Sequence, residues 1–470
     1  MENEDYSSGE QNGNRSGDAP GTGSDQSLQE VLEQDSARVP VAPSQGDGVG
    51  DGLGDRLREL AKFFLTLGVV GFGGPAAHMA AMHDWAVVRE RWLTEEELLE
   101  GVAVCEMLPG PASTQLGIYI GHRRGGAIGA LVAGICFMAP AFAMVIALSW
   151  AYFEFQGLPQ LAALLGGVSP VVVAVVAAFA WKLMKKCLVQ KGTGCLHWGA
   201  IALAVSAAFA VSTDRVSILL VLAIAGVIGM GLYGPHRQLG RPNQLGLIWM
   251  AIAGVDLALL ATQPEGGSAV AAAGFWGGDR IVEYGGSLFT VFFRAGTAIF
   301  GGGLSIVPLL ETDVVQQYGW LTRTEFLNGV AIGQMTPGPV VLAVAFMGYK
   351  VAGVLGALWA TVSAFIPSFG FIILLAPLLQ RLRKNPWVKA FLKGVTPGVL
   401  GTIAAVTVPL AIAALGLEGG AEAVDWGFTA IAAVLMGAAA IALIKFKVAA
   451  WKLLLAGALV GLVSGGLSLM

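Results

Sequence analysis

Pro109-Gly110-Pro111 falls in the middle of an apolar segment of helix length, and no helix continues through it. Each proline lacks an N–H, clashes with the turn before it and pushes its predecessor out of the α region. The interruption is repeated: adding 228 to each number gives Pro337-Gly338-Pro339, again inside a hydrophobic run. In hydrocarbon an unpaired backbone amide or carbonyl costs roughly several kcal/mol, so such a break survives only where it is buried in protein or lines a polar cavity. A lone proline such as Pro140 or Pro367 reads as a simple kink, whereas a break written twice points to a binding site.

Composition puts these segments in a membrane. Of 470 residues, 55% are apolar and 13% charged, with a mean hydropathy of +0.69, far outside the soluble range. The expected fold is an all-α polytopic membrane protein, and the 66 glycines suit close helix packing in lipid. A net charge of −4 points to no partner, and no nucleic acid is expected. Residues 1–55 are rich in Gly, Ser, Asp, Glu, Asn and Gln with no apolar period, and read as a disordered cytoplasmic tail without a cleavable signal. Thirteen apolar stretches follow, at about 57–82, 98–121, 126–153, 160–182, 197–212, 216–234, 246–262, 286–308, 326–349, 351–380, 390–416, 426–444 and 452–469. The first and eighth contain Gly71-Phe72-Gly73-Gly74-Pro75 and Phe300-Gly301-Gly302-Gly303, which suit broken or re-entrant segments as well as straight crossings.

The duplication extends beyond the breaks. At the same offset Phe72-Gly73-Gly74 matches Phe300-Gly301-Gly302, Trp92-Leu93-Thr94 matches Trp320-Leu321-Thr322, and Glu97 matches Glu325. This divides the chain into a first repeat at 56–240, a linker with one apolar helix at 241–285 and a second repeat at 286–470. Equivalent loops carry opposite charge. The loop at 154–160 has Glu154 and no cation where its counterpart has Arg381, Arg383, Lys384 and Lys389; the next loop reverses the bias, with Lys182, Lys185, Lys186 and Lys191 against Glu418, Glu422 and Asp425. Under the positive-inside rule the repeats are inverted. The same rule puts the N-terminus, His122-Arg123-Arg124, the Arg237/Arg241 loop and Lys445/Lys447 in the cytoplasm if all thirteen stretches cross. Arg89 and Arg91 then fall outside, against the rule.

Half-helices that start inside a membrane aim free N–H groups and a positive dipole end into the cavity, which suits an anion. After Pro111 come Ala112, Ser113, Thr114 and Gln115, which add two hydroxyls and an amide. In the second repeat Gln334 and Thr336 precede the break, while Val340, Val341 and Leu342 follow it, so the first half is expected to make more of the direct contacts. Arg294, about two turns before Gly301-Gly302-Gly303, would meet an oxyanion or Glu106, unless it snorkels from a helix end. Glu106, opposite neutral Gln334, is the candidate for a coupled proton. His78, His83, Asp84, Glu311 and Asp313 read as interfacial polar residues near segment ends, and Lys350 as a snorkelling lysine or a vestibule cation. Cys187, Cys195 and His197 read as packing or loop residues, and no cofactor or metal is expected.

Phe72-Gly73-Gly74-Pro75 with Pro109 to Gln115, echoed from Phe300 and Pro337, resembles the chromate ion transporter family in its long form, with both repeats fused. The resemblance implies a secondary transporter that exports chromate across the bacterial inner membrane. It marks Gly73, Gly74, Pro75 and the Pro109–Gln115 stretch, with their second-half counterparts, as site residues; the second repeat departs from the motif at Gly303 and Val340. The residues alone define an anion-suited cavity, so sulfate or another divalent oxyanion stays open, as does a homodimer. An intramembrane enzyme using Glu106, His78 or Cys105 is disfavoured: no zinc-ligand pair, activated nucleophile or nucleotide fingerprint is present, and with no phosphate-binding loop an ion gradient or the membrane potential must supply the energy.

Overall fold

The computed structural model describes residues 52–188, 197–213, 216–234, 270–383, 385–418 and 425–468, which are helical without strands. Residues 1–51, Arg237, Arg241, Cys195 and the seventh stretch with Asp256 lie outside them, whereas Leu53–Asp55, expected in the disordered tail, already form the first turn of a helix. The first repeat runs α1 (Leu53–Val70), α2 (Pro75–His83) with a π-helical turn at Asp84–Arg89, α3 (Glu95–Met107), α4 (Ala112–Phe155), α5 (Pro159–Leu188), α6 (Trp198–Ser212) and α7 (Ile218–Tyr233). The second repeats the order: α8 (Gly278–Thr297), α9 (Val307–Glu311) with a π-helical turn at Thr312–Gln317, α10 (Arg323–Met335), α11 (Ala343–Arg383), α12 (Pro386–Ala414), α13 (Trp426–Ile444) and α14 (Ala450–Ser468).

The breaks turn the chain round. At α3 and the start of α4, a Cβ on Gly101 would lie 2.6 Å from the Tyr119 ring, the Tyr119 hydroxyl donates to the Glu97 carbonyl at 3.4 Å, and Arg123 pairs with Glu97. Residues this far apart in sequence meet only if the two helices run antiparallel, with Pro109-Gly110-Pro111 at the tip of a hairpin. The second repeat does the same: Lys350 pairs with Glu325 at 2.6 Å and Phe346 packs on Gly329, around a tip at Pro337-Gly338-Pro339. The Gly71–Gly74 break also reverses the chain, because Phe63 stacks on Trp85 with centroids 4.9 Å apart, and the Gly301–Gly303 break brings Arg294 to Asp313 at 3.7 Å. Four of the thirteen apolar stretches, the first, second, eighth and ninth, are therefore re-entrant hairpins rather than crossings.

As a straight helix α4 would be about 66 Å long, twice a bilayer core. It bends back at Gly125–Gly126, where Gly126 has φ +61, so that Gly121 packs on the Gly129 carbonyl; α11 repeats this at Ala352–Gly353. The second limb of α4, residues 127–155, starts beside Leu57 and Leu60 at the base of the first repeat's hairpins. About 43 Å further on it ends with Tyr152 against Phe346 and Asn328, and Phe153 against Tyr349, at the base of the second repeat's hairpins. The two sets of hairpins thus enter from opposite ends of a membrane-spanning helix, and the repeats are inverted. Because two re-entrant hairpins precede the first crossing, Arg89 and Arg91 share a side with Arg123 and Arg124, which removes their conflict with the positive-inside rule.

Packing then interlocks the halves. α6 and α7 of the first repeat lie on α12 of the second, while α13 and α14 lie on α5, with Gly167 against Gly457 mirrored by Gly229 against Gly394. Phe64, Phe137, Phe292, Phe326, Phe346 and Phe365 fill the core. Outward faces keep large apolar side chains such as Trp198, Phe209 and Val434, as hydrocarbon permits. Among the described residues α4, α5, Val340–Leu374, α12 and α13 are long and apolar enough to cross a membrane, and α6, α7 and Ala450–Ser464 are shorter apolar helices. In a variant with all four cysteines changed to serine, Arg91→Cys and His122→Cys should react with an impermeant thiol reagent from one side and Gln156→Cys from the other. Labelling of positions 91 and 122 from opposite sides would contradict the re-entrant hairpins.

Candidate functional site

The four hairpin tips converge and exchange backbone hydrogen bonds. Gly110 N–H donates to the Ile299 carbonyl at 2.8 Å, and Gly338 N–H donates to the Gly71 carbonyl at 3.1 Å. Residues 110 and 338, like 71 and 299, are 228 apart, so each Pro-Gly-Pro tip of one repeat docks on the Gly-rich tip of the other about a pseudo-two-fold axis. Gly110 with φ +136 and Gly338 with φ +94 supply backbone shapes that L side chains rarely adopt. Further stitches hold the tips: His78 Nε2 lies 2.8 Å from the Gly71 carbonyl, and Ser305 accepts from Phe300 N–H at 3.1 Å while donating to the Gly302 carbonyl at 2.7 Å.

Polar groups collect where α4 begins. The N–H groups of Ala112, Ser113 and Thr114 precede the first bond of that helix, made from Gln115 N–H to the Pro111 carbonyl at 3.0 Å. Ser113, Thr114 and Gln115 are buried. The Gln115 amide donates to the Pro109 carbonyl at 2.7 Å, so it closes the tip on itself, leaving its Oε1 without a partner. Thr114 Oγ1 is also buried without a partner, as is Ser368 Oγ, which reaches across from α11 to within 2.6 Å of the place a Gly110 Cβ would take. Unsatisfied buried polar atoms are rare in a finished fold, and three of those found among the described residues meet at this helix N-terminus. Ser368 carries no motif; only its place on α11 reveals it. In the second repeat Thr336 is turned to the Gly333 carbonyl at 3.3 Å, the break is followed by a single 3-10 turn at Val340–Leu342, and Gln334 keeps an unpartnered Nε2. Gly73, Gly74, Pro75, Gly301, Gly302 and Gly303 shape the other two tips by their backbone.

Several charged residues stand elsewhere than the sequence suggests. Arg294 is 3% exposed and its carboxylate partner is Asp313, not Glu106, which lies on an exposed face of α3. His78, Glu311 and Asp313 are buried rather than interfacial. Lys350 is buried against Glu325 and the Phe153 ring, so it is neither a snorkelling lysine nor a vestibule cation. The Glu97/Glu325 match is explained by structure: each closes a capping box with Thr94 or Thr322 and spends its other oxygen on Arg123 or Lys350.

Inverted repeats whose broken helices meet tip to tip, with a helix N-terminus and unpaired hydroxyls between them, suit a transporter. The chain belongs to the chromate transporter family: the profile described as "Chromate transporter" matches residues 58–230 and again 286–462. It is 35% identical to the chromate transport protein of Cupriavidus metallidurans over 87% of this chain and 93% of that one. It is 33% identical to the probable chromate transport protein of Synechococcus elongatus over 75% and 84%. An uncharacterized transporter of Bacillus subtilis is 31% identical over 37% of this chain and 93% of its own length, the size of one repeat. No solved structure matches. The tip geometry gives a direct test. Gly110→Ala forces a Cβ into Gln115 and Ser368 as well as a strained φ, whereas Gly74→Ala, with φ +79 and nothing within 4 Å, meets strain alone. Gly110→Ala should therefore abolish transport and lower thermal stability in detergent by about 2 kcal/mol or more, and Gly74→Ala by less; equal effects would contradict the packed tip.

Proposed function

We propose that this protein carries chromate outward across the bacterial inner membrane, binding it where the first turn of α4 meets Ser368. The observation that supports this reading is the pair of buried, unpartnered hydroxyls, Thr114 Oγ1 and Ser368 Oγ, beside the three backbone N–H groups that begin a helix. Hydroxyl and amide hydrogens suit the oxygens of a tetrahedral dianion. With Arg294 paired to Asp313, the anion is held by dipoles, which release it more readily than a fixed cation would.

Direction follows from charge. Arg89, Arg91, Arg123 and Arg124 sit at the bases of the first repeat's hairpins, and Lys182, Lys185 and Lys186 end α5 on the same side. The positive-inside rule assigns that side, and the N-terminus with it, to the cytoplasm. A negative interior then favours exit of an anion by about 2.3 kcal/mol per charge per 100 mV. Sealed vesicles loaded with chromate, with an imposed potential, test the reading: chromate should leave faster as the interior is made more negative. Sulfate shares the charge and shape, so preference is read by competition; vesicles that move sulfate and not chromate would overturn the substrate. Ser113→Ala with Thr114→Val, and separately Ser368→Ala, should weaken chromate half-saturation by about 10-fold or more, since each desolvated charge-assisted hydrogen bond contributes roughly 1.5–3 kcal/mol. Unchanged half-saturation in both would leave the backbone amides as the only donors.

A further inference from the structure

The buried Arg294–Asp313 pair exists in one repeat only. Counting back 228 residues from each gives Thr66 and Trp85, and there the hairpin arms are joined by the stack of Trp85 on Phe63. In the second repeat the equivalent arms, α8 and the π-helical turn after α9, are joined by opposite charges 3.7 Å apart that are 3% and 1% exposed. A buried ion pair stabilises little beyond an apolar contact but is costly to leave half-made. An apolar joint cannot respond to protons and a carboxylate can, so the substitution changes what the hairpin can do.

The position gives the pair leverage. Arg294 lies five residues before Ile299, whose carbonyl receives the Gly110 N–H at 2.8 Å. Whatever parts the arms of this hairpin shifts the carbonyl against which the α4 tip is docked. A polar chain reaches the surface close to the pair, on the side opposite the N-terminus: Glu418 accepts from Arg323 at 3.2 Å, Arg323 donates to Glu311 at 3.3 Å, and Glu311, two residues along the chain from Asp313, also accepts from Gln316 at 2.8 Å. Among the described residues, the charged and titratable groups around Asp313 are Arg294 of α8, Glu311 of α9, Tyr318 after the π-helical turn and Arg323 at the start of α10.

We propose that Arg294 and Asp313 form the proton-coupling site of the carrier. A proton from water on the far side binds the Asp313 carboxylate, cancels its attraction to Arg294 and loosens the hairpin whose tip holds Gly110; its release to the cytoplasmic side restores the pair. One proton enters as the anion leaves. This role, which the sequence suggested for Glu106, thus falls on a carboxylate joined to the site by a continuous hairpin. It rests on the reading of the protein as an oxyanion carrier.

The test uses the full-length protein in sealed vesicles, reading chromate movement and internal pH together. Wild type should exchange chromate for chromate at equal pH and should also accumulate it when driven by a pH gradient. Asp313→Asn should lose at least 10-fold of the gradient-driven transport and its linked proton movement while exchange falls less than 3-fold. Because that variant leaves Arg294 facing a neutral partner, Arg294→Gln with Asp313→Asn supplies an uncharged joint; it should restore any lost exchange but not the response to pH. Gradient-driven transport retained in either variant would overturn the proposal, as would loss of exchange in both, which makes the pair a structural rivet. A wild type that exchanges sulfate but not chromate would refute the substrate instead, and the same variants would then be read with sulfate.

Discussion

The fold depends on what happens to backbone groups that proline and glycine release from helices inside hydrocarbon. Four breaks are written into the chain, and water cannot satisfy them at mid-depth. They satisfy one another. Gly110 N–H finds Ile299, Gly338 N–H finds Gly71, and since these are the same pair of positions taken from opposite repeats, the two bonds define a pseudo-two-fold axis through the site. Inversion of the repeats allows tips entering from opposite sides to meet there, and the interlocked packing of α6 and α7 on α12, and of α13 and α14 on α5, keeps the halves in register.

Symmetry of backbone is not symmetry of chemistry. The first repeat places a true helix N-terminus, with Thr114 and Gln115 buried, after its break; the second follows its break with one 3-10 turn of Val340, Val341 and Leu342. The second repeat instead carries the buried ion pair. On the proposed reading one half supplies donors to an anion while the other supplies an electrostatic joint and Ser368. Two fused repeats are free to differ in this way, because each has its own sequence.

Much of this was legible in the sequence because it rests on local rules. Pro-Gly-Pro in an apolar run, the 228-residue offset and the alternating loop charges read directly as breaks, duplication and inversion. What hydropathy could not give was direction: a stretch such as 98–121 has the length of a crossing, and only tertiary contacts such as Glu97 with Arg123 and Gly101 with Tyr119 show that it turns back. Arg89 and Arg91 were the visible trace of that error, being cations on the wrong side of a thirteen-crossing scheme. Long-range partners were equally hidden. Asp313 lies 19 residues from Arg294 and looks like a segment-end acid, Gln115 spends its amide on its own loop, and Ser368 belongs to no motif; each role is set by tertiary packing.

In the proposed site the anion sits where four tips meet, held by dipoles rather than by a fixed cation. The position of bound chromium decides this, and it can be read from anomalous scattering in crystals of the protein grown with chromate. The peak should lie within hydrogen-bonding reach of the first turn of α4 and of Ser368 Oγ. A peak at Arg294, or at the Lys350–Glu325 base, with none between the tips, would contradict it.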